Sequence, residues 1–122
     1  KIMELVEDKH NSQFQIKNYR NESIVIGDQI FNYPIIFVNG SIEKFAVNKP
    51  GSINFNDIRK ILCDVEILLI GTGKVNVILD ENLINLVYQA QKGLEFMNTE
   101  SACKTHNLLL SENRSFSSIL YP

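Results

Sequence analysis

The stretch MNTESACKTHNLLLSENR, residues 97–114, gathers a thiol, an imidazole, several hydroxyls and amides, a lysine and an arginine within a few helical turns. Cys103 and His106 stand three residues apart, which on a helix places them on one side. With a cap at Asn98 or Thr99, Cys103 falls near the first turn, where unpaired backbone N–H groups and the helix dipole favour a thiolate. That is an arrangement for a nucleophile and its base. Against it, the pair shares a stripe with Ala102, Leu109 and Leu110, the residues expected to face a sheet, and a thiol buried in apolar surroundings is inert. No carboxylate is placed in sequence to orient the imidazole. On this balance no residue is assigned a catalytic role.

A second place is Gly71-Thr72-Gly73, which ends an apolar run. Open α/β sheets bind ligands at the carboxyl ends of their strands, and glycine lets backbone N–H groups approach an anion. No third glycine follows at the dinucleotide-binding spacing and no Gly-Lys-Ser/Thr of a phosphate loop, so a tight turn off a strand accounts for the glycines equally well. The metal-ligand types are scattered over His10, Cys63, Cys103 and His106 without a Cys-x-x-Cys spacing, so neither a metal site nor a cofactor is expected. Lys60 with Asp64, four residues apart, reads as a solvated helix pair.

These residues need elements to hold them. The first half reads as β: FQIKNYR and SIVIG alternate, and PIIFVNG leads through Asn39-Gly40 into SIEKFAV. Asn-Gly between alternating segments marks a type I′ hairpin, expected to join about 35–38 to about 42–47. NFNDIRKILCD then begins with an asparagine cap, carries Asp57 in its first turn and puts Ile58, Ile61 and Leu62 on one helical face. The second half changes period. VEILLIG is a continuous apolar run of the kind a strand covered on both faces produces. Asp80 is placed to cap a helix whose Leu83, Val87 and Ala90 share a stripe, with Gly93 expected at its C′ position. LEFM follows as a strand, so the crossover predicts two parallel strands. A helix over about 99–112 and a last strand in SFSSILY complete the chain.

The 122 residues suit one domain, 1–122, with one sizeable core. A net charge of −2 and a pI near 5.7 provide no basic field for phosphate backbones, so nucleic acid is not an expected partner. Glu4, Glu7 and Asp8 interrupt the apolar core that an export signal would need, and no apolar run is long enough to span a bilayer. Two cysteines fit a reducing compartment, and the expected location is cytoplasmic.

The second half also carries a resemblance. ILLIGTG, then after a helix LEFMNTESACKTHNLLLSENR and a final SILYP, resembles a family of small uncharacterised α/β domains that includes mitochondrial complex I assembly factor 3. The family pattern is an apolar strand ending Gly-x-Gly, a helix, a strand ending Met-Asp/Asn-Thr, then Ala-Cys-Arg-Thr-Tyr-Asn and, before the last strand, Glu-Gly-Arg. Met97, Asn98, Thr99, Ala102, Cys103, Thr105, Asn107, Glu112 and Arg114 match it. The resemblance is specific over 65–122 and general before that. It implies a three-layer α/β fold around a central mixed sheet and an assembly or accessory role, with no reaction to carry over. Lys104 stands where the family has Arg, keeping a charge but losing the planar fork. His106 stands where it has Tyr, so an imidazole base for Cys103 is no family requirement. Asn113 replaces Gly, and Asn is the next-best residue at a left-handed helix end.

The expected fold is therefore α/β: three layers, a central mixed sheet, an N-terminal β-hairpin region and a C-terminal β-α-β-α-β. Thr99 is expected to cap the last helix, Ala102 and Cys103 to be small where the helix meets the sheet, and Asn107 and Arg114 to tie polar groups near a sheet edge. The leading functional reading is a non-enzymatic accessory, assembly or protein-interaction module with a protein partner. The alternative is a small-molecule or anion-binding protein, with thiol chemistry at Cys103, whose pocket at the strand ends collects Gly71, Thr72, Gly73, Thr99, Cys103, Lys104, Asn107 and Arg114.

Overall fold

The computed structural model describes residues 13–122. Its first elements are three short strands, β1 (Ile16–Arg20), β2 (Ser23–Ile26) and β3 (Gln29–Phe31), paired as an antiparallel meander. Alternation sends Ile16, Ile24, Ile26 and Phe31 to one buried face. Asn21 and Glu22 turn β1 into β2 with φ of 54° and 60°, the left-handed pair that a tight hairpin needs.

β4 (Ile35–Val38) and β5 (Ser41–Lys44) form the hairpin expected at Asn39-Gly40, both turn residues having positive φ. Its second strand is shorter than expected: pairing ends at Ile35 opposite Lys44, and Phe45 adds one bond to the Pro34 carbonyl. A single 3₁₀ turn, Pro50–Ser52, leads into helix α1 (Phe55–Asp64). Asn54 caps α1 with its side chain on the Asp57 N–H while the Asp57 carboxylate accepts from the Asn54 N–H, a reciprocal box that satisfies two orphan donors. Ile58 and Leu62 are buried beneath it.

The crossover follows as β6 (Ile67–Gly71), α2 (Glu81–Gln89) and β7 (Gly93–Met97), with β6 and β7 parallel. Asp80 caps α2 through the Leu83 N–H, and Leu83 and Val87 are buried. Two local expectations are corrected. Ala90 ends the helix and is exposed, since the chain has turned off the sheet there. The left-handed residue is Gln91, at φ 61°, whereas Gly93 is already the first residue of β7 and donates to the Glu66 carbonyl. Helix α3 (Thr99–Ser111) and strand β8 (Phe116–Leu120) end the fold, joined through Asn113 at φ 54°.

β8 inserts between β4 and β6, giving a mixed sheet of order β5-β4-β8-β6-β7. β8 is antiparallel to β4 and parallel to β6. Side chains alternate between two cores. Leu69, Phe37, Phe116 and Leu120 meet α3 and the meander on one face, whereas Leu68, Ile70, Ile36 and Ile119 meet α1 and α2 on the other. The result is three layers, an α/β fold around a central mixed sheet, with the first three strands as a separate sheet beside α3.

Candidate functional site

The two places singled out in the sequence meet at one junction. β6 ends at Gly71, and α3 begins at Thr99 one strand away. A Cβ on Gly71 would lie 2.9 Å from the Ala102 Cβ, 3.0 Å from the Thr99 hydroxyl and 3.1 Å from Leu120, so the glycine is there because α3 presses on the strand end. The polar groups of the junction satisfy one another. The Thr99 hydroxyl accepts from the Gly73 N–H at 2.7 Å and donates to the Tyr121 carbonyl at 2.6 Å. The Thr99 N–H donates to the Gly73 carbonyl, and the Thr72 N–H to the Met97 carbonyl, each at 2.8 Å. The Thr72 hydroxyl closes its own loop on the Val75 carbonyl at 2.6 Å. With Thr99 fully buried, Gly71-Thr72-Gly73 is stitched to the helix and turns no donor toward a ligand through these bonds.

The helix cap is Asn98, not Thr99: the Asn98 side chain accepts from the Ser101 N–H at 2.9 Å. Thr99 faces the opposite way, into the sheet, because the residue after a cap already has helical direction and here points inward. Both residues suit a cap by type, and only the packing direction separates them.

Cys103 is buried on the inner face of α3 within the apolar core. Burial, helped by the nearby Glu100 carboxylate, pushes its thiol up to about 12, so it is held protonated at neutral pH. Beside it stands Tyr19 of β1, whose phenol is raised by burial and by Cys103. The Tyr19 hydroxyl is shielded from solvent and has no hydrogen-bond partner among the described residues. No motif marks Tyr19 in the sequence; only its place in an alternating strand could have drawn attention to it.

His106 is fully buried and tied at both ring nitrogens, to the Ser118 hydroxyl at 2.8 Å and to the Phe14 carbonyl at 2.9 Å. A carbonyl only accepts, so Nε2 carries the proton and Nδ1 accepts from Ser118. Phe37 and Phe116 pack edge-on against the ring. Burial lowers its pKa to about 4, although the bond to Phe14 opposes this. Both nitrogens are therefore engaged by groups other than Cys103, and the imidazole serves as a neutral crosslink among α3, β8 and the approach to β1.

Asn107 and Arg114 diverge. The Asn107 amide accepts from the Ile16 N–H at 2.8 Å and donates to the Ile16 carbonyl at 2.9 Å, fastening α3 to β1. Arg114 precedes β8, which runs parallel to β6, and so lies at the end of the sheet opposite Gly71. Its guanidinium is half-exposed, 3.7 Å from Glu112, and borders a shallow cleft of about 190 Å³ with Phe37, Asn39 and Phe116. Lys104 is exposed on the outer face of α3. Of the eight pocket residues expected from the sequence, the structure brings together Gly71, Thr72, Gly73 and Thr99, places Cys103 one turn further along α3, and sets Lys104, Asn107 and Arg114 elsewhere. Among the described residues no group of three His, Cys, Asp or Glu side chains is arranged to hold a metal ion, and no helix is long and apolar enough to cross a membrane.

The chain has clear relatives. A family model described as a protein of unknown function (DUF498/DUF598) matches residues 16–121, extending the resemblance read over 65–122 to nearly all the described chain. The chain is 31% identical over 122 residues to the 13 kDa major membrane protein of Francisella tularensis subsp. holarctica, covering 98% of this chain and 99% of that one. It is 28% identical over 120 residues to NADH dehydrogenase (ubiquinone) 1 alpha subcomplex assembly factor 3 of Xenopus tropicalis, covering 94% of this chain and 65% of the longer relative. A crystal structure of a Bordetella parapertussis protein superposes with a TM-score of 0.80 at 26% identity, over 88% of this chain and 94% of that one.

Proposed function

The chain belongs to the DUF498/DUF598 family, whose function is unknown, and we propose that it acts as a non-enzymatic accessory module that works by docking to another protein. The observation that carries this reading is the use of its polar residues. Thr99 and Ser117 spend their side chains on bonds to backbone, His106 spends its ring on the Phe14 carbonyl and the Ser118 hydroxyl, and Cys103 is protonated in apolar surroundings. A catalytic constellation keeps a nucleophile, a base and donors turned toward substrate; these groups are turned toward the fold. A relative named as an assembly factor supports the same direction. The proposal includes action in the cytoplasm, supported by two free thiols, which suit a reducing compartment. The name of the Francisella relative makes fractionation of cells the check on that location.

The alternative remains a small-molecule or anion binder; with the Gly71-Thr72-Gly73 turn stitched to the helix, its site would lie near Cys103 rather than at the strand ends, and the Tyr19 hydroxyl, without a hydrogen-bond partner among the described residues, favours it. It requires a ligand to raise the melting temperature of the native protein and Tyr19→Phe to remove that rise.

The docking reading is tested by affinity capture of the tagged protein from its own cell lysate at low and moderate salt. It expects a partner in near one-to-one amount. Recovery of the protein alone, joined to a ligand-dependent melting shift lost in Tyr19→Phe, would replace it with the binder.

A further inference from the structure

Sheet edges are where another chain can pair, and native proteins blunt them with charge, brevity or covering side chains. Several edges here are blunted. Asn107 occupies both backbone groups of Ile16 on β1. β3 has three residues, and β5 presents exposed Glu43 and Lys44. β7 differs: it is five residues long, GLEFM, with one exposed charge, Glu95, against the adjacent pair on β5, and it is regular in register with β6 and outermost in the five-stranded sheet. The Gly93 N–H and the Met97 carbonyl both bond inward, to the Glu66 carbonyl and the Thr72 N–H. Alternation along a parallel ladder then turns the N–H and C=O groups of Leu94 and Phe96 outward.

We propose that this edge of β7 receives an extended segment of a partner protein carrying a basic residue, which joins the sheet as a sixth strand. The inference rests on reading the chain as a docking module, and names its surface. An apolar side chain stands beside the edge on each face. Tyr88, 82% exposed in the last turn of α2, lines a surface cleft with Lys92 and Gly93 at the start of β7. On the other face the Thr105 hydroxyl of α3 reaches the Met97 sulfur at 3.5 Å. Leu108, 57% exposed, follows Thr105 by one turn along a helix that runs back against β7, which carries it toward Glu95.

Charge decides the occupant. Glu95 is exposed on the α3 face, in register with Leu69. If two copies of this chain paired antiparallel through Leu94 and Phe96, each Glu95 would face the other, and like charges directly opposite are destabilising. A lysine or arginine at that position instead pairs with Glu95 and lays its methylenes along Leu108. The residues on either side of it face the Tyr88 layer and suit apolar side chains.

The test uses a capped heptapeptide, Ser-Thr-Val-Lys-Val-Thr-Ser, titrated to millimolar concentration against the whole chain and followed by the backbone amide resonances. The expected result is shifted and exchange-protected N–H groups at Leu94 and Phe96, with binding about three-fold tighter than for the same peptide carrying a central Glu. Glu95→Lys, an exposed substitution, should reverse that preference. Unchanged amides at Leu94 and Phe96 would overturn the proposal, as would equal binding of both peptides. Protection that appears with protein concentration alone would assign the edge to a second copy. A stoichiometric partner captured from lysate while these two amides stay unchanged would keep the docking module and remove this edge from it.

Discussion

The side-chain amide of Asn107 holds both backbone polar groups of Ile16, at 2.8 Å and 2.9 Å. Helix α3 thereby gives β1 the partner that an edge strand lacks, and joins the three-stranded meander to the rest of the fold. Asn107→Ala should lower stability by about 1–3 kcal/mol, since both groups of Ile16 lose a partly buried partner. Denaturant unfolding should show a lower midpoint at unchanged slope. Asn107→Asp keeps the acceptor but not the donor, and should fall between the two.

The Gly71 junction predicts a coupled pair. Gly71→Ala forces a methyl against Ala102, Thr99 and Leu120 and should cost about 1–3 kcal/mol by overpacking. Ala102→Gly removes the nearest of those atoms, so the double variant should recover part of the loss, and a double-mutant cycle measures how much. A Cβ on Gly73 would meet only the Pro122 carbonyl, at an ordinary 3.9 Å, but the residue sits at φ 98°, so Gly73→Ala is strained and no second substitution nearby should rescue it.

Thr99→Val keeps the shape of the side chain and deletes its hydroxyl, leaving the Gly73 N–H and the Tyr121 carbonyl without this buried partner. The expected cost is about 2–4 kcal/mol, from two buried groups losing a bond. Asn98→Ala, which removes only the cap, should cost about 1 kcal/mol. Melting of the two variants side by side checks the order.

His106 makes stability depend on pH. Its pKa is about 4 in the fold, below the ordinary value of 6.5, so between those values the unfolded chain binds the extra proton. Its contribution is fully present above pH 6.5 and is lost as pH falls toward 4, by on the order of 3 kcal/mol. His106→Gln should be flatter than the parent over that window, and unfolding free energies at pH 4.5, 5.5 and 7 compare the two.

Much of this architecture is legible in local chemistry. The Asn39-Gly40 hairpin and the caps at Asn54 and Asp80 each follow from residues within a dozen positions of one another, and the parallel β6-α2-β7 unit follows from the order of three consecutive elements. What escapes local reading is set by distant packing. β8 enters the sheet between β4 and β6, a choice that no property of SFSSILY dictates. Thr99 and Asn98 both suit a cap by type, and the depth of Thr99 against Gly71 assigns the roles. Gln91 takes the left-handed position because the chain must already be extended at Gly93 to reach Glu66. Arg114 and Thr99 are expected in one pocket from the sequence, yet α3 carries them to opposite ends of the sheet. Tyr19 comes beside Cys103 only through the separate meander.

The decisive question is whether the residues of α3 are turned to chemistry or to the fold, and the alkylation of Cys103 in the native protein answers it. With its thiol pushed up to about 12, Cys103 should react with iodoacetamide at pH 7 at least about a hundred-fold more slowly than the exposed Cys63, and denaturation should equalise the two. Native modification of Cys103 as fast as or faster than that of Cys63, below pH 7, would mean a stabilised thiolate on α3 and would contradict the reading of this helix as structure.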